Sequence, residues 1–203
     1  MSLGPVLVTA ASVAACAPAL QRLRDAGCGL RVLSTPQPFD EAWLVEQVGD
    51  VAGLIVAMEP VGARVFAAAP QLKVIARPGV GFDTIDMAAA ARHGVAVSIA
   101  AGCNDQSVAD FTMGLLLAAA RGLLPAAASV QAQGWARSAG TEVWGKTLAL
   151  VGLGRIGQGV ARRARGFDLR VLAVTRQQDA ATTDFAVRHG VELVGLEDAL
   201  GQV

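Results

Sequence analysis

The feature that most constrains this chain is an alternation. Short, continuous apolar runs recur between stretches rich in Ala, Leu and Arg. In the first half the runs are VLVT (6–9), LRVL (30–33), GLIVA (53–57), LKVIA (72–76) and VAVSI (95–99). The stretches between them close at Gly27, Gly49, Pro70 and Gly94. A strand that is apolar along its whole length has no face to give to water, so it belongs in a parallel sheet covered by helices on both sides. The first half is therefore predicted to be a flavodoxin-like α/β domain of five parallel strands. Ligands of such sheets sit beyond the carboxyl ends of the strands. That singles out the loop RPGVGFDTID (77–86), which follows the fourth run.

The second half opens differently. In DQSVADFTMGLLLAAAR (105–121) the spacing puts Val108, Phe111, Leu115 and Ala119 on one helical face. Asn104 or Ser107 can cap this helix, Asp105 and Asp110 lie toward its positive end, and Gly122 and Pro125 end it. Its second half is apolar on all sides and is predicted to be buried, between domains or against another subunit. A further helix runs from near Pro125 to Gly134. Then comes a strand, TLALV (147–151), a helix from about Arg155 to Gly166, and a strand, RVLAV (170–174). Helix, strand and the opening turn of another helix follow in DFAVRHGVELV and LEDALGQV.

Between TLALV and the next helix stands GLGRIG. Gly152, Gly154 and Gly157 form a GxGxxG fingerprint in the strand–turn–helix setting that gives it meaning. The first glycine permits the tight turn, the second lets a pyrophosphate approach the backbone, and the third lets helix and strand pack closely. The helix N-terminus offers free N–H groups to the anion. Such a dinucleotide-binding domain normally has about six strands, and this half offers about three. The division predicted is a flavodoxin-like domain over 1–101 and an incomplete Rossmann domain over 102–203.

The residue that grips the adenine ribose lies about twenty positions beyond the glycines. Thr175 is 21 residues after Gly154 and directly follows the strand. An Asp there would accept both ribose hydroxyls and repel a 2′-phosphate. Thr175 does not repel one, and Arg176 can pair with it. This favours NADP(H) over NAD(H), the alternative being that Arg176 faces water and Thr175 tolerates either. Asp179, the next acid, lies further along the loop and is a poor substitute. In the first half, PGVG (78–81) is either an ordinary glycine turn or a set of backbone N–H groups for a carboxylate, with Arg77 beside it adding charge.

Composition narrows the partners. Lys+Arg and Asp+Glu are 17 each in 203 residues, so the chain is not built to wrap nucleic acid or to coat an acidic membrane. The basic run ARRARG (161–166) reads as an exposed helix face. The three cysteines, Cys16, Cys28 and Cys103, lack CxxC spacing, which points to a reducing, cytoplasmic setting with no disulfide framework and no zinc site. The longest apolar run, 111–120, is too short to span a bilayer. His93 and His189 each precede a glycine and read as helix C-terminal residues.

Taken in order, LKVIARPGVGFDTIDMAAAARHGVAV, NDQSVADFTMGLLLAAAR, GKTLALVGLGRIGQGVARRARGFDLRVLAV and GVELVGLEDAL resemble the D-isomer-specific 2-hydroxyacid dehydrogenases, from about Gly53 onward. That family includes phosphoglycerate dehydrogenases and glyoxylate/hydroxypyruvate reductases. The resemblance implies hydride transfer between NAD(P)(H) and a small 2-keto or 2-hydroxy acid, and a homodimer built through 104–146. It implies that Val80 and Gly81 contact the substrate carboxylate, with Val80 also near the nicotinamide. It further implies that Val108 packs on the cofactor and that Arg155 and Ile156 present backbone to its pyrophosphate. Three departures stand out. The family's SVAE reads SVAD here, ending in Asp110. The N-x-P that often follows the fifth strand is replaced around Ile99 and Ala101. Ala57 and Met58 stand where a polar or charged residue often follows the third strand. The family's catalytic Arg, Glu and His fall beyond Val203, so no catalytic residue is assigned and the 203-residue chain by itself is expected to be inactive. A non-enzymatic, corepressor-like NAD(P)-sensing protein is the alternative.

Overall fold

The computed structural model describes residues 4–137, 139–176 and 178–203. The chain divides into two compact units, Met1–Cys103 and Asn104–Val203.

The first unit is a parallel five-stranded sheet. Its strands are β1 (Pro5–Val8), β2 (Gly29–Val32), β3 (Gly53–Ile55), β4 (Val74–Arg77) and β5 (Ala96–Ile99), in the spatial order β2-β1-β3-β4-β5. This is the flavodoxin-like order. The connecting helices are α1 (Ala11–Ala14), α2 (Ala17–Asp25), α3 (Glu41–Gln47), α4 (Ala63–Ala68) and α5 (Met87–Arg92). Asp40 caps α3 through Ala42 N–H at 2.9 Å, and Asp86 caps α5 through Ala89 N–H at 2.8 Å. The main core joins Leu7, Leu54 and Ile75 of the sheet to Leu44 and Val48, Val65 and Phe66, and Ala89 and Ala90. Strand boundaries differ from the sequence reading by a residue or two. The largest shift is in β4, which begins at Val74 rather than Leu72 and takes in Arg77. Because side chains alternate along a strand, Arg77 falls on the same face as the buried Ile75, and it is itself 8 % exposed.

The second unit begins with a 16-residue helix, α6 (Asp105–Ala120), followed by α7 (Leu123–Gln131). Its sheet holds β6 (Thr147–Val151), β7 (Arg170–Val174) and β8 (Val191–Leu193), all parallel, in the order β6-β7-β8. Helix α8 (Arg155–Ala164) and a 3₁₀ turn (Arg165–Phe167) join β6 to β7, α9 (Ala180–His189) joins β7 to β8, and α10 (Leu196–Leu200) follows. Ala161, Ala164, Val171, Ala173, Phe185 and Val191 make one core, and Ala109, Met113 and Val160 make another where α6 meets α8. β6 pairs on one side only among the described residues.

Within its unit helix α6 buries Asp105, Ala109 and Met113, a different line from the apolar face through Val108, Phe111, Leu115 and Ala119. Small residues decide this: a side chain at Gly159 of α8 would meet Ala109 Cβ at 2.9 Å, so the two helices approach along that line. Within this chain Phe111, and Leu115 in the apolar second half, are more than half exposed. The cap also differs. Asn104 occupies the N-cap position without a side-chain cap bond, and its Oδ1 is buried with no partner among the described residues, while Ser107 lies inside the helix. Asp110 of SVAD has a definite task, because Arg163 Nε reaches its Oδ1 at 2.6 Å and ties α8 to α6. No single helix among the described residues is long and apolar enough to cross a membrane, and α6 and α7 meet at a bend of 69°.

Candidate functional site

The second unit gathers the fingerprint at the carboxyl end of its sheet. Gly152 follows β6 with φ +112°, a conformation that L side chains rarely adopt, and its N–H donates to Val174 O at 2.8 Å. Gly154 is the N-cap of α8. A side chain at Gly157 would collide with the carbonyl oxygen of Gly152, so the helix can start this close to the strand only with glycine there. The N–H groups of Gly154, Arg155 and Ile156 donate to no acceptor among the described residues. Unsatisfied donors at the start of a ten-residue helix, with the helix dipole behind them, form an anion site.

A cleft of about 600 Å³ joins this turn to the end of β7, lined by Val151, Gly152, Leu153, Gly154, Val174, Thr175 and Arg176. Two stretches, 151–154 and 174–176, thus face one space. Arg176 is exposed and has no ion pair among the described residues. Asp179 is engaged elsewhere. Its Oδ1 accepts Thr182 N–H at 2.8 Å as the cap of α9, and that bonding to Thr182 holds its carboxyl below the usual range. Val108 is half-buried on α6 and does not line the cleft. The glycine conformations, the free donors and the size of the cleft fit the adenine and pyrophosphate part of a dinucleotide.

In the first unit the loop after β4 is pinned at both ends. Ala100 N–H donates to Arg77 O and Gly79 O, Val61 N–H donates to Thr84 O, and Asp86 N–H donates to Val61 O at 2.9 Å. Between these anchors the N–H groups of Gly79, Val80 and Gly81 have no acceptor among the described residues. Val80 is half-buried and Gly81 exposed. Arg77, at the start of this loop, has a buried guanidinium. It donates from Nη1 to Thr84 Oγ1 at 3.0 Å and from Nη2 to Met58 Sδ at 3.3 Å, with no carboxylate partner among the described residues. A buried cation without a counter-ion is costly unless an anion reaches it. The open N–H groups of the loop and the cation of Arg77 are each suited to an anionic ligand.

One residue escaped the sequence reading. Glu59, two positions after the departure at Ala57, is 1 % exposed. Its Oε1 accepts the Thr35 hydroxyl and its Oε2 accepts Ala57 N–H, each at 2.7 Å. Burial pushes its pKa up, but hydrogen bonds from Thr35, Thr9 and the backbone outweigh burial and hold it below the ordinary value. The available signal was a carboxylate just past an apolar parallel strand, where a solvated position is the ordinary expectation.

Neither histidine approaches these sites. His93 ends α5 and His189 ends α9, each just before the next strand and so at the amino edge of its sheet. Burial, with the guanidinium groups of Arg162, Arg165 and Arg188, lowers the pKa of His189.

The fold, the fingerprint and the loop after β4 define a class. The chain belongs to the D-isomer specific 2-hydroxyacid dehydrogenases, and the model of that family's catalytic domain matches residues 6–195. Members use NAD(H) or NADP(H) and act on small 2-hydroxy or 2-keto acids. Among its relatives, D-3-phosphoglycerate dehydrogenase of Mycobacterium leprae is 42% identical over 166 residues, which cover 80% of this chain and 31% of the relative. Glyoxylate reductase of Korarchaeum cryptofilum is 38% identical over 173 residues, 80% of this chain and 50% of the relative. The crystal structure of the TT0316 protein from Thermus thermophilus superposes with a TM-score of 0.83 at 34% identity, over 98% of this chain and 62% of that one. The chain thus spans between about a third and a half of the length of these two curated relatives.

Proposed function

We propose that this chain supplies the cofactor cradle and the substrate-carboxylate receptor of an oxidoreductase acting on small 2-keto or 2-hydroxy acids. The single observation that carries the proposal is the cleft that brings Gly152 and Gly154 together with Thr175 and Arg176. Unit Asn104–Val203 is the dinucleotide domain. The backbone of Gly154, Arg155 and Ile156 holds the pyrophosphate, Gly157 keeps the turn close, and Thr175 and Arg176 receive the ribose end. NADP(H) is preferred because the position that would carry a ribose-gripping acid is Thr175 and the next residue is a cation.

Unit Met1–Cys103 is the substrate domain. Val80 and Gly81 bind the carboxylate by backbone N–H groups, and Arg77 adds charge. The nicotinamide, when bound, gives or takes a hydride. No group within the 203 residues is assigned the accompanying proton transfer, so this polypeptide binds both ligands without turning them over. His93 and His189, at the amino edges, have no part in it.

The protein is a homodimer through 104–146. Phe111 and Leu115 of α6 and Leu123, Leu124 and Val130 of α7 are exposed apolar side chains that a second copy would cover. The free thiols of Cys16, Cys28 and Cys103 suit a reducing, cytoplasmic setting.

Thermal denaturation with and without NADPH tests the binding role. Saturating NADPH should raise Tm, and Gly157→Val should remove the rise. An unchanged Tm in the parent chain would contradict the proposal. Light scattering tests the dimer: Leu124→Glu should yield a monomer, and a parent chain that is already monomeric would contradict that part.

A further inference from the structure

The two curated relatives differ in what their names imply about the substrate side chain. One name carries a phosphate and the other does not. The first unit bears on that choice. A second cleft, of about 400 Å³, lies over the carboxyl ends of β1, β2 and β3, and its lining includes Thr9, Leu33, Thr35, Phe39, Ala57 and Glu59. No Lys or Arg lines it among the described residues. Its one charge among those residues is the carboxylate of Glu59, fixed by Thr35 and Ala57 N–H.

Its position relative to the carboxylate receptor follows from the sheet. Neighbouring strands are about 4.8 Å apart. The receptor is on the loop after β4, Ala57 and Glu59 follow β3, and Thr9 follows β1, in adjacent order. The loops already touch, because Met58 Sδ accepts from Arg77. A ligand held by its carboxylate at Val80 and Gly81 and directed along the strand order would bring its side chain past Ala57 toward this cleft.

We propose that this cleft receives the substrate side chain and that Glu59 is a specificity-determining residue: the protein selects short, uncharged 2-keto or 2-hydroxy acids and rejects phosphorylated ones. The inference rests on the carboxylate-binding role of the loop 79–81. Phosphate recognition calls for Arg or Lys at the phosphate, and the cation of this region, Arg77, stands at the other end of the ligand. Glu59 adds repulsion to that lack. It lies within the sheet edge, away from the screening of bulk water, where like charges cost most. Its hydrogen bonds keep it ionised at neutral pH. A phosphate dianion brought into the cleft should bind at least ~100-fold more weakly than a neutral group of similar size.

The test is ligand-observed NMR on the 203-residue chain saturated with NADPH, comparing 2-oxobutanoate with 3-phosphohydroxypyruvate. The expected result is binding of 2-oxobutanoate and at least ~100-fold weaker binding of the phosphorylated acid. Glu59→Gln keeps the size, can still accept Ala57 N–H while its amide donates to the Thr35 hydroxyl, and should narrow the ratio about tenfold. Ala57→Arg should narrow it further. A purely structural role for Glu59 would leave the ratio unmoved in Glu59→Gln, whatever happens to stability. Equal or tighter binding of 3-phosphohydroxypyruvate by the parent chain would overturn the inference and leave the loop's role intact. If NADPH binds and neither acid does, the loop's role itself falls and takes the inference with it.

Discussion

The two units solve one problem with different means. Each presents, at the carboxyl end of a parallel sheet, backbone N–H groups that have no acceptor among the described residues: Gly79 to Gly81 in the first, Gly154 to Ile156 in the second. The second unit relies on backbone shape. Gly152 needs its positive φ and Gly157 needs the absence of a side chain. The first relies on buried charge, with Arg77 at the start of the loop and Glu59 under the neighbouring cleft, satisfied separately by neutral partners. Shape requirements leave a mark in the sequence as glycines at fixed spacing. Buried charge leaves less: Arg77 was legible beside the glycines of its loop, whereas Glu59 showed only once the fold placed it inward.

The comparison can be broken at its strongest point first. Gly157→Val should lower NADPH affinity at least ~100-fold, since overpacking at a helix–strand contact costs up to about 3 kcal/mol. Calorimetry would measure it, and an unchanged affinity would remove backbone shape as the basis of the cradle. Next in size, Thr175→Asp places a carboxylate where the 2′-phosphate is proposed to lie. NADPH affinity should fall about 10–100-fold while NADH affinity holds or rises. A parallel loss for both cofactors would place the ribose elsewhere.

On the buried-charge side, Glu59→Ala should destabilise the first unit by about 1–3 kcal/mol, because the Thr35 hydroxyl and Ala57 N–H lose their acceptor. Urea denaturation would read this, and a neutral result would mean that water replaces the carboxylate without loss. The pH dependence follows from the sign of the shift. Folding lowers the pKa of Glu59 below its ordinary 4.5. Its contribution is therefore whole above that value and is lost as pH falls through the lower folded value. Glu59→Gln should flatten the stability profile on the acid side only. Smallest of all, Arg163→Ala should cost about 1 kcal/mol through the half-exposed pair with Asp110. A much larger loss would make the α6–α8 contact electrostatic rather than a matter of the small residues Ala109 and Gly159.

Much of this was legible in the sequence. Continuous apolar runs announced both parallel sheets, and the runs 147–151 and 170–174 coincide with β6 and β7. There the glycine turn and the helix caps fix the ends. The loop 77–86 was identified through its glycines and its place after a strand. What stayed hidden depends on neighbours distant in sequence. The line of α6 that packs on α8 is set by Gly159, fifty residues beyond Ala109, and periodicity alone does not show it. Asn104 has a capping residue's chemistry, yet its Oδ1 makes no bond among the described residues. Glu59 looks like a solvated acid in sequence, and hydrogen bonds from Thr35, Thr9 and the backbone at Ala57 allow it inside.

The central claim is that Gly152, Gly154, Thr175 and Arg176 form a cradle for a nicotinamide dinucleotide carrying a 2′-phosphate. Calorimetric titration of the 203-residue chain with NADPH and with NADH, at equal ionic strength, tests it most directly. The account predicts saturable binding of both with NADPH the tighter; equal or tighter binding of NADH, or no binding of either, would contradict it.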